Sequence, residues 1–443
     1  MKMLFLLFFI LLFSEPILAQ NGFQFEKSKS KASLSFKLVN NLIIIPLKVN
    51  GVTLNFLLDT GVAETLIFSL DESNGISFTE TQSIVMKGFG NKADFVAYKC
   101  KNNTISFGKY ADNNHSIYLV LDQDINISSQ VGITVNGIIG YHFFKNNLIK
   151  INYSSKKITV IKSSTKRIKN IEKEYAKIPF ELDSNKPYIL CFTNFEGQIN
   201  SIPSKLLIDT GNSDALWLFK ERDARIILSK KFINDYLGRG LNGDIYGQRS
   251  RVKSLQILNF KIDNPIAAFP DSLHTNTVVL SENRVGSVGS EIIKRFNVIF
   301  DYESNVLYLK KNDLFADSFE FNKSGIELQH QGLQWAMESF ELNPALNQVV
   351  FDKNGDRIQN NLHFKFELKP IFVITHIRED SPAKQVGLLK DDVLVTVNGE
   401  SAGNFKLQEI TDFFKGDENK TITLQVDRKG VVLKFKFQLK SIL

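Results

Sequence analysis

The chain has 443 residues, too many for one ordinary domain, and predicts two or three. Its 43% hydrophobic and 23% charged residues exclude a disordered chain, and 37 Phe supply apolar bulk for its cores. The net charge of +7 is no nucleic-acid footprint, because 54 Lys and Arg are dispersed among 47 Asp and Glu without a long basic block.

At the N-terminus, Met1-Lys2 precede an apolar run from Met3 to Phe13, a polar break at Ser14, Glu15 and Pro16, and Ile17-Leu18-Ala19, which ends on a small residue suited to cleavage. Residues 1–19 therefore read as a signal peptide. The run is shorter than the roughly 20 apolar residues of a membrane-spanning helix, and no later stretch is long enough. Gln20, where a lipid anchor would use Cys, follows the expected cleavage point. The expected product is exported, periplasmic or extracellular, with no transmembrane anchor after cleavage.

Asn41 to Val49 reads as a strand that turns at Gly51 into Asn55 to Gly61, NFLLDTG. This second apolar strand delivers the Asp59 carboxylate at its end, where Gly61 permits an abrupt turn. Gly88-Phe89-Gly90 marks a hairpin tip 29 residues beyond Asp59. Gly137-Ile138-Ile139-Gly140 is a short apolar strand, Tyr141 to Asn146 a short helix, and Leu148 to Tyr153 with Lys157 to Lys162 a closing hairpin. Ser163 to Lys177, dense in Lys and Glu, reads as an exposed connection.

The same order then recurs. Lys205 to Gly211, KLLIDTG, places Asp209 150 residues after Asp59, and Gly238-Arg239-Gly240 again lies 29 residues past the aspartate. Gly286-Ser287-Val288-Gly289 follows its counterpart by 149 residues, with Ser290 to Arg295, Val298 to Tyr302 and Val306 to Lys311 behind it. One residue of slippage over so many features indicates a duplication, hence two mainly β halves related by a pseudo-twofold axis.

Beyond Lys311 the repeat stops. Ser381 to Leu388 is a helical turn begun by Pro382 and closed by Gly387; Val393 to Val397 is a strand ending in the turn Asn398-Gly399. Leu407 to Lys415 fits an amphipathic helix, and Thr421 to Val426 and Val432 to Leu439 are strands. This is a third, smaller α+β domain. Cys100 and Cys191 are two thiols with no catalytic pattern, or else one cross-lobe disulfide. The six His show no metal-binding spacing. Asp352, Asn354 and Asp356 resemble the start of a calcium loop, but Arg357 and His363 replace its Gly and closing Glu, so a polar turn is expected. No metal or cofactor is called for.

Two carboxylates brought together on a twofold axis cannot both stay ionised, so the pair holds an acid and a base at once. One can take a proton from water as that water attacks a peptide carbonyl, while the other protonates the carbonyl oxygen. The titrations belong to the pair. Thr60 and Thr210 can clamp the opposite loop, and Gly61 and Gly211 let backbone NH groups approach the carboxylates. The glycine tips at Gly88, Phe89, Gly90 and at Gly238, Gly240 are candidates to fold over an extended substrate.

Asp59-Thr60-Gly61 with Ile138-Ile139-Gly140, and Asp209-Thr210-Gly211 with Ser287-Val288-Gly289, resemble the lobes of retropepsin-type and pepsin-type aspartic proteases. The resemblance runs from about residue 35 to 312 and implies a bilobal fold and cleavage of extended peptides between the lobes, with no dimer needed. Val62, Asn212 and Ser287 depart from the family pattern. The C-terminal part resembles a PDZ domain through Ser381-Pro382-Ala383, Gly387-Leu388, Asp392-Val393-Leu394 and Val397-Asn398-Gly399, with Asp391 where Gly is usual. That resemblance makes Gly325, Ile326 and Leu328 candidates to receive a peptide C-terminus, although about forty residues intervene before the next matching strand, Phe372 to Ile377. The expected arrangement is a signal peptide (1–19), an N-terminal lobe (20–168), a C-terminal lobe (169–312) and a PDZ-like domain (313–443). An exported, monomeric aspartic endopeptidase is the expected function, with a PDZ-like domain for substrate capture or control; the alternative is a protease-fold protein that binds peptides without cleaving them.

Overall fold

The computed structural model describes residues 22–26, 28–70, 75–86, 95–121, 125–240, 243–272, 280–341, 350–351, 357–358 and 362–443. The expected signal peptide, the Gly88-Phe89-Gly90 tip, His274 and the Asp352, Asn354, Asp356 turn lie outside these residues. The fold is mainly β. Among the described residues no helix is long and apolar enough to cross a membrane.

The apolar run of the first half forms the strand Leu42–Val49, and Asn50 and Gly51 reverse it with φ of 48° and 91°. Left-handed residues at both central positions are what a two-residue hairpin needs, and Val52–Leu58 returns antiparallel. On its far side Val52–Leu58 pairs in parallel with Gly137–Ile139, which pairs antiparallel with Thr65–Ile67. Thus a strand from far along the chain is inserted between the strand that carries Asp59 and the next one. The insertion explains the glycines: a Cβ on Gly137 would overlap the Leu66 carbonyl, and one on Gly140 the Val62 carbonyl.

The second half is wired alike. Ile202–Asp209 pairs antiparallel with Lys186–Asn194 and in parallel with Arg284–Gly289, whose other neighbour is Leu216–Leu218. Here a Cβ on Gly286 would overlap the Trp217 carbonyl, and one on Gly289 the Asp214 carbonyl. The glycines keep their spacing across the repeat because both lobes require the same close strand crossing.

A six-stranded sheet joins the halves, in the order Ala176–Pro179, Val306–Lys311, Phe296–Asp301, Leu148–Asn152, Lys157–Ile161, Lys31–Ser35. Its central pair crosses the axis, Ile149 opposite Phe300 and Ile151 opposite Val298. Buried rings pack over it from both halves, with Phe144 at 5.1 Å from Phe300 and 5.3 Å from Tyr302. Burial of each such side chain stabilises by about 1.5–3 kcal/mol, so the lobes share one core.

The expected exposed connection is more ordered than a loop. Thr165–Ile171 forms a helix with no fully buried residue, running through the expected lobe boundary at 168, and Ala176–Pro179 then joins the shared sheet. Ile171 and Tyr175, four residues apart, rest on Leu148, Ile299, Val306 and Tyr308, which holds an otherwise polar segment down.

The C-terminal domain has its own core and a sheet ordered Ile326–Glu341, Leu362–Ile377, Val393–Val397, Thr421–Arg428, Val431–Gln438. Ser381 caps the Pro382–Gln385 helix by accepting from Lys384 N, and Leu407–Phe413 buries Leu407 and Ile410. Asp391 takes φ of 70°, the conformation for which Gly is usual. Much of the interval before Phe372 extends the first two strands into a long hairpin that still pairs Glu341 with Leu362. Phe319 and Phe321 pack into the core of the lobes, not that of the C-terminal domain. Cys100 and Cys191 are buried in separate strands and form no disulfide; burial raises both thiols above their ordinary value.

Candidate active site

Asp59 and Asp209 each leave a strand at the lobe interface, and the residues behind them lock the two ends together. Thr60 Oγ1 donates to the Ile208 carbonyl at 2.6 Å, and Thr210 Oγ1 to the Leu58 carbonyl at 2.8 Å. Each hydroxyl also accepts from the opposite threonine's backbone NH at 3.0 Å. Both threonines are fully buried. Four bonds in a dry site hold the loops more firmly than their sum in water. The four bonds run in both directions across the axis, so the clamp is reciprocal.

Each glycine presses its backbone on the opposite aspartate. A Cβ on Gly61 would lie 3.0 Å from Asp209 Oδ1, and one on Gly211 would overlap the Asp59 carboxylate. Gly61 N donates to Asp59 Oδ1 at 2.6 Å and Gly211 N to Asp209 Oδ1 at 3.1 Å. The two carboxylates thus meet across the axis. Burial first, and then the charge of Asp209, pushes Asp59 up to about 7. Burial also raises Asp209, against the opposing pull of Arg284 and the Gly211 NH. A pair so placed shares a proton near neutral pH.

Above the pair lies a cleft of about 340 Å³. Leu42, Leu57, Val62 and Ile138 line its first-lobe side, while Lys186, Leu207, Arg284 and Ser287 line the second. Gly238, Arg239 and Gly240 reach it from the hairpin of Phe232–Gly240 with Gly243–Arg251. Gly238 sits at a bulge with φ of 133°. The matching tip at Gly88, Phe89 and Gly90 lies outside the described residues.

The departures from the family pattern have local explanations. Val62 packs with Ile138 and Leu66, giving Asp59 an apolar neighbour in place of a hydroxyl. Asn212 Oδ1 accepts from Asp214 N at 2.9 Å and shapes the turn behind Asp209. Ser287 accepts at 2.7 Å from the buried Arg284 guanidinium, a partnership that sequence spacing does not advertise. Lys186, Trp217 and the Ile127–Val131 helix were likewise not singled out, and Ile127 and Gln130 of that helix line the cleft.

Gly325, Ile326 and Leu328 stand at the start of the C-terminal sheet, away from the aspartates. Ile326 and Leu328 are core residues. The loop NH groups already have acceptors: Ser324 N and Gly325 N donate to Asn322 Oδ1, and Ile326 N to Ser324 Oγ. A peptide carboxylate would have to displace the Asn322 side chain. The domain meets the second lobe beside this loop, where His376 stacks on Tyr236 at 3.9 Å.

Residues 45–143 match the aspartyl protease family and residues 373–428 the PDZ domain family. Among solved structures, the chain is similar to an aspartic proteinase from Irpex lacteus at 14% identity and a TM-score of 0.38, over 65% of this chain and 99% of that one. None of the curated proteins compared with it matches. With both aspartates in one clamped site, the chain joins an aspartyl-protease-like part to a C-terminal PDZ domain.

Proposed function

We propose that the protein is an exported aspartic endopeptidase that hydrolyses peptide bonds by water activated between Asp59 and Asp209. The observation that carries this reading is the reciprocal threonine clamp, which holds two carboxylates against each other at the floor of a cleft. A shared proton gives the pair its base and its acid, and attack by water needs neither a covalent intermediate nor a metal. One chain supplies both aspartates, so the active unit is a monomer. Export rests on the N-terminal apolar run with its small-residue end. The PDZ domain presents proteins to the cleft or controls its second-lobe hairpin, which it touches through Tyr236 and His376.

The direct test is digestion of a denatured protein mixture by the mature chain, with the products sequenced by mass spectrometry. Discrete internal cuts support the reading; an intact mixture from pH 3 to 8, together with tight peptide binding, favours the peptide-binding alternative.

The raised titration sets the pH dependence. The competent form carries one proton on the pair, and that proton is lost as pH rises through about 7. Hydrolysis of an uncharged peptide should therefore be sustained in mildly acidic buffer and fall roughly tenfold per pH unit well above that point. An activity that climbs from pH 7 to 9 would contradict this assignment.

A further inference from the structure

The two walls of the cleft are built from equivalent positions with opposite character. Leu57 pairs with Ile44, and Leu207 pairs with Tyr188, so Leu42 and Lys186 occupy corresponding places two residues earlier. Ile138 and Ser287 correspond likewise, each beside the leucine two residues before an aspartate. All four line the cleft. The first lobe thus presents Leu and Ile where the second presents Lys and Ser.

Ser287 belongs with a second cation. Arg284 is only 4% exposed, yet it lines the cleft. Its Nη2 donates to Ser287 Oγ at 2.7 Å and its Nε to the Gly286 carbonyl at 3.1 Å. The guanidinium lies 5.9 Å from the Tyr188 ring centre and 5.4 Å from that of Phe219. Burying a guanidinium is costly, and these contacts fix it in place. Arg239, the other cation at the cleft, is engaged by Asp244 at 3.3 Å. Across the cleft the charged residue is Glu64, of the opposite sign.

We infer that the second-lobe wall is a subsite for a carboxylate of the substrate, bound by Lys186 and Arg284 next to the scissile bond. The inference rests on the peptidase reading and names its substrate class: peptides with an apolar residue against the first lobe and an acidic group against the second. Ser287 then departs from the family pattern because it holds the guanidinium. A fixed, buried guanidinium discriminates by charge more strongly than surface cations do.

The test uses end-blocked peptides built around a site found in the protein digest, varied to Glu, Gln or Lys at each position near the cut. At one position Glu should exceed Gln about tenfold in kcat/KM, and Lys should be poorest. Lys186→Glu should invert the order of Glu and Lys there. A neutral peptide with a free C-terminus close to the cut separates an acidic side chain from a chain end as the source of the carboxylate. Cleavage without charge preference at any position overturns the inference and leaves the peptidase reading standing. So does a Lys186→Glu variant that slows all peptides equally, since that would make the lysine a modulator of the aspartates alone. Fluorescence anisotropy of the same peptides on the Asp59→Asn variant reads the subsite without turnover. Preferential binding of the acidic peptide by that variant would support the subsite independently of turnover; equal binding of the Glu, Gln and Lys peptides would refute it.

Discussion

On the proposed peptidase reading, replacing Asp59 or Asp209 by Asn should lower kcat/KM for peptide cleavage by about 10⁴-fold, and the double variant should be scarcely worse than either single one. The pair would then act as one unit. Asn cannot take a proton from water, and with one carboxylate gone the other has no partner with which to share a proton. Folding should survive, because the clamp is made by Thr60 and Thr210 and the glycine NH groups can still donate to an amide oxygen. A folded-state carboxylate raised above its unfolded value binds its proton more tightly in the native protein, so ionising it costs stability as pH climbs from about 4 towards 7. Asp59→Asn removes that cost. Its urea midpoint at pH 8 should equal or exceed the wild-type value, while the two proteins converge near pH 4. Activity within tenfold of wild type in both single variants would remove the aspartates from the chemistry.

How much of this was legible in the sequence follows from the kind of constraint each residue obeys. Asp59 and Asp209 stand out because a strand, a carboxylate and a turn-forming glycine must be contiguous, and the duplication prints that local pattern twice. Gly137, Gly140, Gly286 and Gly289 are legible for a related reason: a strand threaded between two others tolerates no Cβ there, and the repeat preserves the spacing. The shared six-stranded sheet was hidden, since Leu148–Asn152 and Phe296–Asp301 carry strand patterns that say nothing about their pairing across the axis. The cations were hidden as well. Lys186 reaches the cleft through strand register and Arg284 through a bulge between Lys205 and Leu206, and neither relation is local in the chain. Ser287 was the visible trace of Arg284, a polar residue where the family pattern has an apolar one. In the PDZ domain, sequence identified the loop at Gly325 but not that Asn322 already accepts from its NH groups.

Arg249→Met should be the most destabilising single change at the junction of the second lobe and the PDZ domain, at about 3–5 kcal/mol near neutral pH. Arg249 Nη1 meets Asp214 Oδ1 at 2.7 Å, and its Nε donates to Asp235 Oδ2 at 3.0 Å. Burial pushes Asp235 up even against the pull of Arg249 and Arg378, and it pushes Glu327 of the PDZ domain up to about 7. Methionine matches much of the arginine stem but leaves Asp214 and Asp235 without their shared cation; Arg378 stands 3.8 Å from Asp235 and partners the PDZ side. The deficit should shrink as pH falls below neutral, because the Asp235 carboxyl, held above its ordinary value by burial, does not need the guanidinium once it is protonated. Arg249→Met combined with Asp235→Asn should recover part of it, a coupling that urea unfolding of the four proteins in the cycle measures directly. A loss below about 1 kcal/mol at pH 7 would place Arg249 among ordinary surface pairs and dissolve the network. The variant should also raise KM, because Asp214 Oδ2 accepts from Trp217 Nε1 at 2.7 Å and Trp217 lines the cleft. That chain of contacts, from the PDZ edge through Arg378, Asp235, Arg249 and Asp214 to Trp217, gives the C-terminal domain a physical route to the wall of the site.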